Sequence, residues 1–214
     1  MPSTALFHWA RIRTNARNAQ VLAANLNETT LPALAIDGGK PWIIANGLFG
    51  LWTNELILVT TWPEGTNARG ALAAKLPPQA EITEQYDLVA TARPSDETPP
   101  SRPGLYVHRL FEVREQDIER FVSLSEEAWT TFETASDYAA EPQGLFRQRE
   151  HPSEGGLMLL VTWYDRLESW ERSRTPAPAA TANFRERAML TRKSLAIATR
   201  LAGETRAAPG MGPG

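Results

Sequence analysis

Apolar positions along this chain follow two patterns, and their order sets out the elements. Two stretches, Leu56-Ile57-Leu58-Val59-Thr60-Thr61-Trp62 and Leu157-Met158-Leu159-Leu160-Val161-Thr162-Trp163, carry apolar residues on both alternating sets of positions. Successive strand residues point to opposite faces, so each stretch predicts a strand covered on both sides. The second pattern is a step of three and four. Ile118, Phe121, Val122, Ser125, Trp129 and Phe132 recur that way and line one side of a long amphipathic helix.

The remaining elements fall in place around these. The first half predicts strands over 5–13, 42–51, 55–62 and 84–92, with a helix from Ala16 to about Asn27 that Leu31-Pro32 ends. A shorter Ala-rich helix runs from Asn67 to Leu76 and stops at Pro77-Pro78. The second half predicts strands over 105–113, 144–150, 157–164 and 195–201. Beside the long helix it has a charged one, Arg166 to Arg174, interrupted by Pro176 and Pro178 and resumed from Asn183 to Lys193, whose charges predict solvated faces. Both halves read β-α-β-β-α-β, and the near-identical Trp62 and Trp163 stretches lie 101 residues apart. Gly47-Leu48-Phe49 and Gly144-Leu145-Phe146 repeat ahead of them. A period of this length indicates two copies of one supersecondary unit rather than a solenoid.

The fold class expected is therefore α+β: two tandem ferredoxin-like units, residues 1–93 and 104–202, joined by a Pro-rich linker over 94–103 and followed by a flexible tail over 203–214. A ferredoxin-like sheet keeps its helices on one face. The other face is apolar here, so the two antiparallel sheets are expected to bury their bare faces in one intrachain barrel of the dimeric α+β type.

Composition narrows the function. A formal charge of −3 with no basic stripe gives no footprint for nucleic acid. Cysteine is absent, which removes disulfides, thiolate nucleophiles and thiolate metal sites. No run approaches a membrane span and no signal-peptide plan opens the chain, so a cytoplasmic protein without membrane contact is the expectation. No Gly-x-Ser-x-Gly elbow or phosphate-cradling glycine loop occurs, which sets aside hydrolase, kinase and Rossmann chemistry.

Leu105-Tyr106-Val107-His108-Arg109-Leu110-Phe111, followed by an amphipathic helix, resembles the opening of NIPSNAP-like proteins. Val161-Thr162-Trp163-Tyr164-Asp165-Arg166-Leu167-Glu168-Ser169-Trp170-Glu171-Arg172 resembles their second signature. The match covers about 104–201; the first half fits only by duplication, since Pro63-Glu64 follows Trp62. The resemblance implies the dimeric α+β barrel superfamily, with its cofactor-free monooxygenases, EthD-like proteins, polyketide cyclases and haem-binding branches. It does not choose among their activities.

Candidate chemistry is sparse. His8 and Arg109 share the 101-residue offset, so matching positions would face one another or line equivalent walls of one cavity. His8 is the candidate acid or base, and Arg109 the clamp for an anionic or carbonyl oxygen. The alternative is a core imidazole satisfied by a backbone carbonyl and an arginine paired to a carboxylate. His108 is expected on the opposite face, toward helices or surface, and His151 in a solvent-facing turn. Trp62, Trp163, Trp129 and Tyr138 are candidate walls for a flat ligand, with Thr61 and Thr162 as candidate orienting hydroxyls. Core packing accounts for the same residues. No histidine pair has metal-ligand spacing and none lies on a predicted helix, which disfavours a metal site and haem. The function expected is a cofactor-independent enzyme acting on a small apolar or aromatic molecule by oxygenation, cyclisation or related rearrangement. A non-catalytic small-ligand-binding or scaffold protein is the alternative, haem binding a third, and a homo-oligomer is compatible with each.

Overall fold

The computed structural model describes residues 1–175 and 178–203; the tail expected over 203–214 lies, beyond Gly203, outside them. The chain forms β1 (Leu6–Thr14), α1 (Gln20–Asn25), a π-turn (Leu26–Thr30), α2 (Leu31–Ala35), β2 (Lys40–Phe49), β3 (Glu55–Trp62), α3 (Ala68–Lys75) and β4 (Ala80–Ala90). After the linker come β5 (Leu105–Val113), α4 (Ile118–Phe132), β6 (Ala140–Gln148), β7 (Gly156–Tyr164), α5 (Leu167–Arg172), α6 (Pro178–Met189) and β8 (Thr191–Leu201).

All eight strands pair antiparallel in a closed barrel of order β1-β3-β2-β8-β5-β7-β6-β4. Within it the first half runs β4-β1-β3-β2 and the second runs β8-β5-β7-β6. Two seams join them: β2 with β8, and β4 with β6. The bare faces turn inward. Phe7, Trp9, Ile57, Val59, Tyr106, Phe146, Leu159, Val161 and Trp163 form one cluster drawn from both halves and containing no helix residue. Helices cover the outside. Leu6, Ala10, Leu56, Leu58 and Trp62 pack under Leu22, Leu26, Leu34 and Leu72. In the second half Leu145, Met158 and Leu160 pack under Phe121 and Trp129, and Val107 and Tyr164 pack with Phe132 and Phe184.

The linker crosses one end of the barrel as a strap whose carbonyls take buried donors. The Trp42 indole donates to the Thr98 carbonyl at 3.1 Å, the Trp163 indole to Pro103 at 2.9 Å, and the Tyr106 hydroxyl to Arg102 at 2.7 Å.

Three local expectations are corrected. The first helical segment does not stop at Leu31-Pro32 but runs on to Ala35 through the π-turn. Pro32 falls in the first turn of α2, where the donor it lacks is least needed. β6 begins at Ala140 and passes through Pro142, with a register shift between Pro142 and Gly144 that accommodates the missing N–H. β8 begins at Thr191, so the charged segment ends sooner than Lys193.

The register also corrects the internal alignment. β1 and β3 place Leu6 opposite Trp62, whereas β5 and β7 place Leu105 opposite Tyr164. The offsets of the two strands therefore total 201, so the pairs Trp62 with Trp163 and His8 with Arg109, each 101 apart, cannot both match. A shift of one residue in a strand exchanges its faces. Trp62 lies under the first-half helices, while Trp163 points into the barrel.

Candidate functional site

The helix-covered face of the second half is hollow. Arg109 and Phe111 of β5 and Leu160, Thr162 and Tyr164 of β7 form the floor of a cavity of about 390 Å³. Trp129 and Phe132 of α4, Ser173 and Arg174 after α5, and Phe184, Arg187 and Ala188 of α6 form its sides. The volume falls within the range of small-molecule sites. In the first half the comparable space is filled by Trp62 and the leucines of α1, α2 and α3.

The electrostatics of this cavity are one-sided. Its wall contains no aspartate or glutamate among the described residues. Arg187 is 6% exposed, and its guanidinium lies 4.9 Å from the centre of the Phe184 ring and 5.3 Å from those of Phe111 and Phe121. It donates to the Ser125 hydroxyl at 3.1 Å. Burial, together with the charge of Arg109, brings its pKa down to about 10. Burial likewise lowers Arg109, which has no hydrogen-bond or ion-pair partner among the described side chains. Burial pushes the Tyr164 phenol up, opposed by the Arg109 charge beside it. At the rim, Arg192 and Lys193 are paired with Glu112.

Of the residues singled out in the sequence, Arg109, Thr162 and Trp129 are brought together here. The others are elsewhere. His8 lies on the helix-covered face of the first half, fully buried, its Nδ1 2.6 Å from Asp87, whose other oxygen meets Arg69 of α3 at 3.3 Å. His8 and Arg109 therefore occupy corresponding faces of different halves and share no cavity. Thr61 and Trp163 are on the barrel-interior side, Trp62 is first-half core, and Tyr138 packs on Phe132 at 5.3 Å behind the cavity wall. His108 is inside the barrel rather than toward the helices, accepting from the Trp9 indole at 3.4 Å. His151 is buried rather than solvent-facing, with Nε2 2.9 Å from the Val113 carbonyl.

The residue the sequence did not point to is Arg187. Its segment was expected to be a solvated charged face. Ala180, Phe184 and Arg187 nevertheless recur at helical spacing, and that apolar stripe running into an arginine was the available signal. None of the three histidines lines the cavity, so an imidazole-ligated haem does not fit the donor set present there. No group of three or more His, Asp or Glu side chains placed to hold a metal occurs among the described residues.

No protein-family model matches the chain, and no curated protein matches it significantly in sequence. Solved structures do match in shape. An anthrone oxidase-like protein is 13% identical, with a TM-score of 0.62 over 96% of this chain and 97% of the other. A protein from Fusobacterium nucleatum subsp. nucleatum, provisionally named a monooxygenase, is 8% identical, with a TM-score of 0.61 over 94% of each chain. A mutant chlorite dismutase from Candidatus Nitrospira defluvii is 8% identical, with a TM-score of 0.63 over 94% and 92%. At such identities the likeness establishes the fold, an α+β protein with a closed antiparallel barrel, and nothing of the chemistry. Among the described residues no helix is long and apolar enough to cross a membrane.

Proposed function

We propose that this chain is a small-molecule oxidative enzyme whose substrate, a compact aromatic molecule, binds between the second-half sheet and helices α4 to α6. The observation that carries this is the cavity itself. Four aromatic side chains from three elements, Phe111, Trp129, Phe132 and Phe184, surround a space of ligand size with a few polar groups on its floor. The monooxygenase and anthrone oxidase names among the structural neighbours support oxygenation over cyclisation.

Oxygenation, cyclisation and rearrangement of such molecules share a first demand, removal of a proton to leave charge on oxygen. Preorganised cations in a site shielded from water stabilise that charge. Arg109 and Arg187 are the groups placed to do so, with Thr162 and Tyr164 orienting the ring oxygen. His8, on the other half, has no part in this site.

The tandem ferredoxin-like duplication belongs to the same proposal, supported by the common strand order of the two halves. So does the NIPSNAP-like character of the second half, supported by the sequence of β5 and of β7 into α5. A cytoplasmic location is proposed with them. A purely binding protein is the second reading, favoured by one observation: among the described residues the wall offers no carboxylate or imidazole to take the proton. The deciding experiment is oxygen uptake by purified protein with a panel of anthrones and polyphenols. Turnover that falls at least about tenfold in Arg109→Gln supports the enzyme, since about 1.4 kcal/mol of lost transition-state stabilisation is a factor of ten. Stoichiometric binding with no oxygen consumed identifies the binding protein.

A further inference from the structure

We propose that the cavity selects aromatic anions, with a carboxylate or ionised hydroxyl of the ligand set against Arg109 and Arg187. The assignment rests on the cavity being the ligand site and adds the charge of what enters it. Buried charges in proteins are almost always paired, because removing an ion from water without a counter-charge is costly. Here the buried Arg187 and the partly buried Arg109 face one cavity, with the exposed Arg174 and the Glu112-paired Arg192 also in its lining, and no carboxylate among the described residues comes within ion-pair distance of Arg109 or Arg187. Two arginines of β1 are matched, by contrast. Arg11 is 2.5 Å from Glu55, and Arg13 is 3.3 Å from the same carboxylate.

The partners Arg187 does have are of limited use to a cation. Ser125 takes one of its five N–H donors, and the aromatic rings around it offer their faces. The remaining donors are those that a planar, two-oxygen acceptor satisfies. Phe184 beside the Arg187 guanidinium and Trp129 in the same cavity lining supply the flat apolar walls, so charge and ring are both accounted for within one ligand.

The test compares 2-naphthoate with its neutral isostere 2-naphthamide, by calorimetric titration of wild type, Arg187→Met and Arg109→Gln. Charge-assisted hydrogen bonds predict that wild type binds the acid at least about tenfold tighter than the amide, and that each substitution erases most of that preference while sparing the amide. Arg109 is the less buried of the two, so its variant keeps the test open if Arg187→Met does not fold, as thermal unfolding would show. Equal affinity for acid and amide overturns the anion assignment and leaves the cavity as a ligand site. Preference for the acid that survives both substitutions overturns it too, since the charge would then be held elsewhere. Failure of both compounds to bind overturns this assignment together with the proposed aromatic site.

Discussion

His108 has no solvent exposure, and its only hydrogen-bond partner among the described residues is the Trp9 indole. Burial brings its pKa down to about 3, so it stays neutral in the folded barrel while the unfolded chain takes up a proton near 6.5. The unfolded state then binds the extra proton throughout the interval between those values, and stability falls as pH is lowered across it. The slope is at most about 1.4 kcal/mol per pH unit. Urea unfolding at pH 6.5 and 4.5 should show that loss in wild type and a smaller one in His108→Gln, which keeps an acceptor for Trp9. Asp87 behaves with the opposite sign. Burial alone would raise it, but the hydrogen bond to His8 and the nearby Arg69 charge hold it below the ordinary carboxylate range. Its contribution is present above the unfolded carboxylate value and is lost as pH falls through the folded one. Asp87→Asn should cost about 1–3 kcal/mol at pH 7, with a difference from wild type that shrinks below about pH 4. At this scale the sequence shows which side chains are chemically able to act but not which face they occupy. His108 and Arg109 are adjacent on β5, and whether the imidazole or the guanidinium faces the helices depends on pairing to β7 and β8.

Elements were more legible. β3 and β5 run from Glu55 to Trp62 and from Leu105 to Val113, the spans that apolar runs bounded by turn residues predict. α4 runs from Ile118 to Phe132 because its apolar stripe is wide and uninterrupted. α3 starts where its cap indicates: the Asn67 side chain accepts from the Gly70 N–H at 3.0 Å. Asn67→Ala should lower thermal stability by about 1 kcal/mol without altering ligand binding in the other half. Proline was the poorer guide, since Pro32 and Pro142 mark neither a helix stop nor a strand limit. The first turn of a helix and a strand irregularity both tolerate a missing donor, and only the three-dimensional pairing shows which positions those are. α6 differs from the expectation for a related reason. Its charges suggested a solvated helix, and the cavity that takes Arg187 exists only once α6 packs across α4.

For the whole molecule, the pattern that foretold the barrel was the apolar second face of β3 and β7, which only a shared interior could cover. The two halves then diverged in what lies beneath their helices. Leucines and Trp62 fill the first, and the second is open. Native mass spectrometry with 2-naphthoate should accordingly find one bound molecule per chain, whereas two would require the first half to open as well.

The seams have a consequence of their own. β4 meets β6 through three ladder pairs, Leu88 with Gln148, Val89 with Arg147 and Ala90 with Phe146, extended by backbone bonds from Thr91 to Leu145, Leu145 to Arg93 and Arg149 to Asp87, while β1 meets β4 along nine pairs. Where ladder contact is shortest, a neighbouring polypeptide can supply the same edge, and the strap would serve as the hinge for trading halves between molecules. Refolding at high concentration should produce interlocked pairs that a Val89→Cys, Arg147→Cys bridge suppresses; the chain has no native cysteine to confuse the pairing. Size-exclusion profiles that stay monomeric at every refolding concentration would show the short seam to be strong enough alone.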